Sequence, residues 1–492
     1  MLFNSFQFLL FFPIVTLIYF LLPFKLRWFH LLVASCIFYM AFVPIYIFIL
    51  FLTIIVDYIA GIMIEKAQGK GRKGFLILSI VANLGILCFF KYYNFLAENL
   101  NLVLHNFNAL QTIPLLKIIL PIGLSFHTFQ AMSYTIEVYR GNQKAEKHFG
   151  IYALYVMFYP QLVAGPIERP QNILHQFHEK HTFNFDNCKN GLKLMLWGFF
   201  KKIVIADRLA IIVNNVYDHP SNHSGIALAI GCFFFAFQIY CDFSGYSDIA
   251  IGAAQVMGYK LMLNFNKPFT SKSVTEFWRR WHISLSTWFF DYLFNPLVTN
   301  LRSWGGANAI VFGLILTFFL SGFWHGAGWK FMIYGLINGI ALVYEYVTKK
   351  RRKKLFSKLP LFLNNKLSQI LTFCFLTFTW VFFRANNIQD AIYIVTHATS
   401  GWKSLASANG IKSILTELGA NDLVYGIFNL CIGILSILFL EFLQNKGNEQ
   451  NNPIGFLYPK NNFYKWSLYS FLFIAIITIG VFENQEFIYF QF

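Results

Sequence analysis

Long apolar runs separated by short, basic loops set the pattern of this chain. Runs that reach the length of a bilayer-crossing helix, about 20 residues, fall at 7–24, 29–43, 45–64, 75–95, 112–137, 190–214, 225–257, 305–323, 329–348, 367–383, 424–444 and 465–482. They predict an all-α polytopic membrane protein with about 11–12 transmembrane helices. Pro44 separates the second run from the third. The run 150–165 is short and ends in Tyr159-Pro160-Gln161-Leu162-Val163-Ala164-Gly165-Pro166, which predicts a re-entrant segment rather than a span. The run 225–257 is overlong and carries Asp242, Ser244 and Asp248, so a bent or partly interfacial helix is expected there. The stretch 258–304, rich in tryptophan and basic residues, predicts helices that lie at the interface or dip into the bundle.

Loop charge supplies an orientation. Basic residues gather at Lys25 to Arg27, Lys66 to Lys73, Arg140 to Lys147, Glu168 to Lys193 and Lys349 to Lys354. Threading the runs alternately puts all five clusters on the cytoplasmic side, as the positive-inside rule requires, and both termini outside. The stretch 258–304 is then cytoplasmic, and His325 lies towards the outer half. The first run has no basic leader or small-residue cleavage site, so it reads as a retained span.

Composition agrees with this picture. Hydrophobic residues make up 57% of the 492 positions and charged residues 12%, against about 25% in soluble domains. The 39 Lys and Arg exceed the 22 Asp and Glu, a net charge of +17. Because that excess sits in loops between apolar runs, it argues against nucleic-acid binding and for contact with membrane lipids. The 7 cysteines form no C-x-x-C pair, and neither a disulfide framework nor a zinc site is indicated.

Several chemistries have no motif here: H-E-x-x-H, the phosphate-cradling G-x-x-x-x-G-K-[ST] and the G-x-S-x-G elbow are absent. His175, His178 and His181 have metal-like spacing but occupy a polar loop, where a solvated face is the simpler reading, so no metal site is assigned. What remains is a set of polar residues within apolar surroundings: His127, Asp242, Ser244, Asp248, His282 and His325. Ionisable groups at membrane depth are costly and read as functional by default. His325, in Phe323-Trp324-His325-Gly326, has glycines close on both sides that permit near approach of a backbone or substrate. Transporters also place such residues at mid-membrane, so composition alone does not separate an enzyme from a transporter or flippase.

Four segments resemble the membrane-bound O-acyltransferase family, in its bacterial branch that acylates envelope polysaccharides. They are Tyr159 to Ile167, Asp242-Phe243-Ser244-Gly245-Tyr246-Ser247-Asp248-Ile249-Ala250, Phe277-Trp278-Arg279-Arg280-Trp281-His282-Ile283-Ser284 and Phe323 to Gly326. The likeness runs along the whole chain and implies one domain over 1–492, with helices in a ring around a pinched pore. It also implies that His325 is the essential catalytic histidine and His282 a second active-site histidine. A C-terminal aromatic motif with a central tyrosine, here Phe487-Ile488-Tyr489-Phe490-Gln491-Phe492 within a tail at 483–492, resembles the acyl carrier of this branch. In D-alanyl-transferring relatives that motif sits on a separate small protein, so its fusion here favours the alginate and peptidoglycan type over the teichoic-acid D-alanyl type.

The residues suit that chemistry. Acyl transfer from a thioester to a hydroxyl needs a base near neutrality, which imidazole supplies. None of the 12 histidines is followed four residues later by aspartate, so the H-x-x-x-D solution of soluble acyl-CoA transferases is not used. Arg279 and Arg280 could hold the phosphates of a donor such as acetyl-CoA, with interfacial anchoring as the equal alternative. Asp242 and Asp248 are expected to be structural, satisfying backbone or arginine partners. The implied partners are an acyl-CoA or other acyl-thioester donor inside and a polysaccharide acetyltransferase protein outside. The implied place is the bacterial inner membrane.

Overall fold

The computed structural model describes residues 1–492 apart from 108–111, 119, 164, 420–421, 447–453, 483–486 and 489–492. Among the described residues there is no β-strand. The chain opens with α1 (Phe6–Leu21), α2 (Phe24–Met40), α3 (Ile47–Lys66), α4 (Gly69–Asn106) and α5 (Leu124–Arg140). Short α6 (Phe149–Met157), α7 (Tyr159–Leu162) and α8 (Pro170–Ile173) precede α9 (Phe185–Phe199) and α10 (Asp207–Asp218). Next come α11 (Gly225–Val256), then α12 (Val274–Trp278), α13 (Ile283–Phe289) and α14 (Asn295–Asn300). The rest is α15 (Gly306–His325), α16 (Trp329–Phe356), α17 (Leu361–Arg384), α18 (Ile388–His397), α19 (Ala408–Leu418), α20 (Leu423–Lys446) and α21 (Asn462–Ile479).

Eight helices among the described residues are long and apolar enough to cross a membrane: α4, α11, α15, α16, α17, α20, α21, and α3 with the turn that leads into it from Pro44. The protein is therefore a multi-pass membrane protein. The other apolar runs take different forms. α1 and α2 are helices of 16 and 17 residues. The run 112–137 is helical only from Leu124, because Pro114 and Pro121 interrupt its first half and cannot donate to a helix ladder. The run 190–214 is broken by a π-helical stretch, Phe200–Ala206. α11 is a continuous helix of 32 residues.

The chain divides into two compact units: 1–195 with 249–262, and 196–248 with 263–492. In the first, α3, α4 and α5 pack together, and α6 lies against α2. The Tyr159-Pro160 break separates α6 from α7, and every residue from Gly150 to Val163 is buried. Two arginines of the basic clusters expected on one side bind backbone carbonyls of other segments in this unit. Arg27 donates to the His181 carbonyl, and Arg72 donates to the carbonyls of Val138 (3.1 Å) and Tyr139 (2.7 Å). In the second unit α15 and α16 form the most extensively packed pair, with α17 beside α16.

Candidate active site

His325 is the last residue of α15, and its position follows from how α15 meets α16. Gly322 and Gly335 face each other so closely that a Cβ on Gly322 would lie 2.3 Å from the Phe331 carbonyl oxygen, and one on Gly335 2.3 Å from that of Phe318. Backbone therefore packs on backbone. One turn later the chain leaves the helix at Gly326 in extended geometry, with the Phe331 ring 2.1 Å from where a Cβ would stand. The imidazole is 5% exposed and walled by Trp324, Phe383 and Tyr334, with ring centroids at 5.0, 5.2 and 6.1 Å.

His282 is fixed differently. It stands between α12 and α13 with φ 42° and ψ 56°, a left-handed conformation that costs a residue with a side chain about 1–3 kcal/mol. Asn264 holds it there. The Asn264 amide oxygen accepts from Ser284 N (3.3 Å) and Ser284 Oγ (2.9 Å) and lies 3.1 Å from His282 Nδ1. The Asn264 carbonyl takes the Ile283 N–H at 2.9 Å, and its amide nitrogen donates to Ser247 Oγ on α11 at 3.2 Å. An amide oxygen beside Nδ1 favours the tautomer protonated there, which puts the imidazole lone pair on Nε2. The Phe243 ring stands edge-on to the imidazole at 4.5 Å. Burial holds the His282 imidazole well below its ordinary pKa, and charge on His325 pushes it the same way, so the two histidines are within electrostatic reach.

A charged cluster lies on the same α11 segment. Lys201 Nζ is 2.7 Å from Asp248 Oδ2 and donates to Ser244 Oγ at 2.8 Å. Lys202 Nζ lies 2.6 Å from Asp242 Oδ1 and 2.7 Å from Asp207 Oδ1. All five charged residues are buried. The π-helical stretch carries both lysines. The partners of Asp242 and Asp248 are thus a backbone group, as expected from sequence, and lysines where arginines were the expected side chains. That backbone group belongs to the tail: Ile488 N–H donates to Asp242 Oδ2 at 2.8 Å. Phe487 packs on Tyr246 and Phe243 at 4.8 and 5.6 Å, and both tail residues are buried. Tyr489 lies outside the described residues.

The remaining candidates are dispersed. Arg280 pairs with Glu276 at 2.7 Å and donates to Thr270 Oγ1, whereas Arg279 is exposed. His127 is buried on α5 in the first unit. His178 is paired with Glu146 at 2.7 Å and His181 lies 2.9 Å from the Gln176 carbonyl, so these side chains do not converge. Among the described residues, no three His, Cys, Asp or Glu side chains are grouped to hold a metal ion. Sequence reading missed Asn264, Lys201, Lys202 and Asp207. The lysines and Asp207 did carry a signal, as charges inside a run of spanning length, whereas Asn264 carried none.

The family model of the membrane-bound O-acyltransferases matches residues 148–385, which include both histidines and the charged cluster. The chain is 38% identical over 453 residues to the probable alginate O-acetylase of Pseudomonas aeruginosa, covering 91% of this chain and 84% of that one. It is 32% identical to the peptidoglycan O-acetyltransferase of Helicobacter pylori, covering 94% and 91%. The chain belongs to the membrane-bound O-acyltransferase family. It is an O-acyltransferase, as its four motifs implied. A teichoic acid D-alanyltransferase of Streptococcus thermophilus is 31% identical but spans only 53% of this acyltransferase.

Proposed function

We propose that this acyltransferase takes an acetyl group from a cytoplasmic thioester, acetyl-CoA, and delivers it across the bacterial inner membrane. The acceptor is a hydroxyl of an envelope or extracellular polysaccharide of the alginate or peptidoglycan type, reached directly or through an extracytoplasmic acetyltransferase protein. Relatives of that description align over most of both chains. The positive-inside pattern supports an orientation with both termini outside. The 1–492 chain acts in this reading as one acyltransferase domain that carries its own acyl carrier at the C-terminus.

One observation carries the mechanism. The C-terminal segment is docked at Asp242 and Phe243, and the Phe243 ring touches His282. Tyr489 follows Ile488 directly in sequence. In the first step His325 takes the phenolic proton of Tyr489 as the oxygen attacks the thioester carbonyl. The O–C bond forms, the C–S bond breaks, and the thiolate leaves with the proton. His282 works at the donor, with Arg279 and Arg280 towards its phosphates. In the second step an acceptor hydroxyl attacks the acyl-tyrosine, giving its proton to the departing phenolate. Phenol, with a pKa of about 10, leaves more easily than a sugar alkoxide, so both transfers run without a further energy source.

The test feeds labelled acetyl-CoA to purified enzyme and maps the label by mass spectrometry of the C-terminal peptide. Label on Tyr489, and loss of polymer acetylation in Tyr489→Phe, are expected. Full activity of the phenylalanine variant would reduce the tail to an anchor. Labelling only from a D-alanyl thioester would move the enzyme to the teichoic-acid type. Transport without any covalent label would make it a flippase.

A further inference from the structure

Within the second unit, a cleft of about 800 Å³ opens between α16 and α17, beside the start of α12. Its lining is graded along α16. Ile337, Ile340 and Ala341 form one end with Leu371 and Phe375 of α17, and Lys349, Arg352 and Lys353 form the other. From Ile337 to Lys353 the helix advances about 24 Å, a length on the scale of one leaflet's hydrocarbon and headgroup layers together. Ile340 and Leu371 are 52% and 53% exposed, so the apolar end faces outward from the unit rather than into its core.

The cationic end has an excess of charge. Lys272 joins Lys349, Arg352 and Lys353 in the lining, and Glu345 is the single carboxylate among them. Glu345 is occupied with α12: its oxygens accept from Val274 N at 2.8 Å, Thr275 N at 2.9 Å and Thr275 Oγ1 at 2.7 Å. Its pairing with Arg352 is long, at 3.9 Å. The fold thus uses the acid to anchor a helix start and leaves Lys349 and Lys353 exposed. Basic pockets between spanning helices on the cytoplasmic side suit anionic headgroups.

We propose that this cleft binds an anionic phospholipid of the inner leaflet, its phosphate at Lys349, Arg352 and Lys353 and an acyl chain along Ile340 and Leu371. The grading decides for a lipid over a soluble nucleotide phosphate, because half of the cleft offers only apolar contact to a ligand.

Native mass spectrometry of the full-length enzyme in detergent tests this. The enzyme is titrated with phosphatidylglycerol, with phosphatidylethanolamine and with adenosine 3′,5′-bisphosphate. At least tenfold preference for phosphatidylglycerol is expected, lowered about tenfold or more in the double variant Lys349→Gln, Lys353→Gln. Both lysines are exposed, so the variant should keep the elution profile of the parent. Equal binding of the two lipids, or undiminished preference in the double variant, overturns the proposal. Displacement of phosphatidylglycerol by the bisphosphate also overturns it, and assigns the cleft to the nucleotide end of a donor instead.

Discussion

His325 and His282 are buried in the same unit and held by opposite means. His325 owes its place to packing: two glycines let α15 and α16 touch through their backbones, and aromatic rings close around the imidazole. His282 owes its place to hydrogen bonds, with one asparagine holding a left-handed turn and selecting a tautomer. A histidine placed by packing has a fixed position. A histidine placed by an amide oxygen has a fixed proton as well. The first arrangement suits the base that takes the phenolic proton when the tail is loaded. The second suits a group that must stay neutral beside another imidazole.

Removing the bases themselves should give the largest effects. His325→Ala should lower acyl transfer by about 10² to 10⁴ while leaving expression and membrane insertion unchanged, since it removes a polar group from an apolar wall. Near-normal polymer acetylation at matched protein level would falsify its assignment as base. His282→Ala should also slow loading of the enzyme from donor, because His282 works at the thioester. Should that variant load normally and fail only at the acceptor, His282 has been put on the wrong side of the transfer.

Next in size is the asparagine. Asn264→Leu keeps the volume but removes the acceptor for Nδ1, and loss of such an orienting partner typically costs 10- to 100-fold in activity. The pH profile separates this from a folding defect. With its pKa depressed, His282 should support flat loading from pH 8 to pH 6. A histidine of ordinary pKa, about 6.5, would be roughly three-quarters protonated at pH 6. A parent enzyme whose loading falls steeply over that range would refute the reading that His282 stays neutral at the donor.

The sequence made the packed histidine far easier to find than the hydrogen-bonded turn. His325 stands out because ionisable residues are rare in apolar helices and because flanking glycines announce close approach. His282 came into view only through its motif, and Asn264 not at all, because an asparagine 18 positions away carries no local sign of its partner. The same division runs through the fold. Eight apolar runs became eight membrane-length helices, since hydrophobic length is a local property. The run 190–214 did not: a π-helical stretch breaks it, and two of its lysines pair with carboxylates on α10 and α11. Hydropathy registers the charges there but cannot say what neutralises them.

The smallest effect on turnover, and the sharpest test of the packing half of the comparison, comes from two glycines near His325. Alanine in place of Gly322 gains up to about 1 kcal/mol of helix propensity. Against that, its Cβ would stand 2.3 Å from the Phe331 carbonyl, and a backbone oxygen cannot swing aside as a side chain can. The two helices must separate, a strain of about 1–3 kcal/mol for overpacked sites, so Gly322→Ala should melt earlier than the parent. At Gly328 the backbone is extended, at φ −174°, and the nearest atoms to a new Cβ are 3.7 and 3.9 Å away. Gly328→Ala should therefore melt with the parent and retain its activity. Thermal melting of the two variants in detergent reads the difference directly. Equal melting would mean that His325 is not positioned by the contact between α15 and α16, and its aromatic neighbours would have to hold it alone.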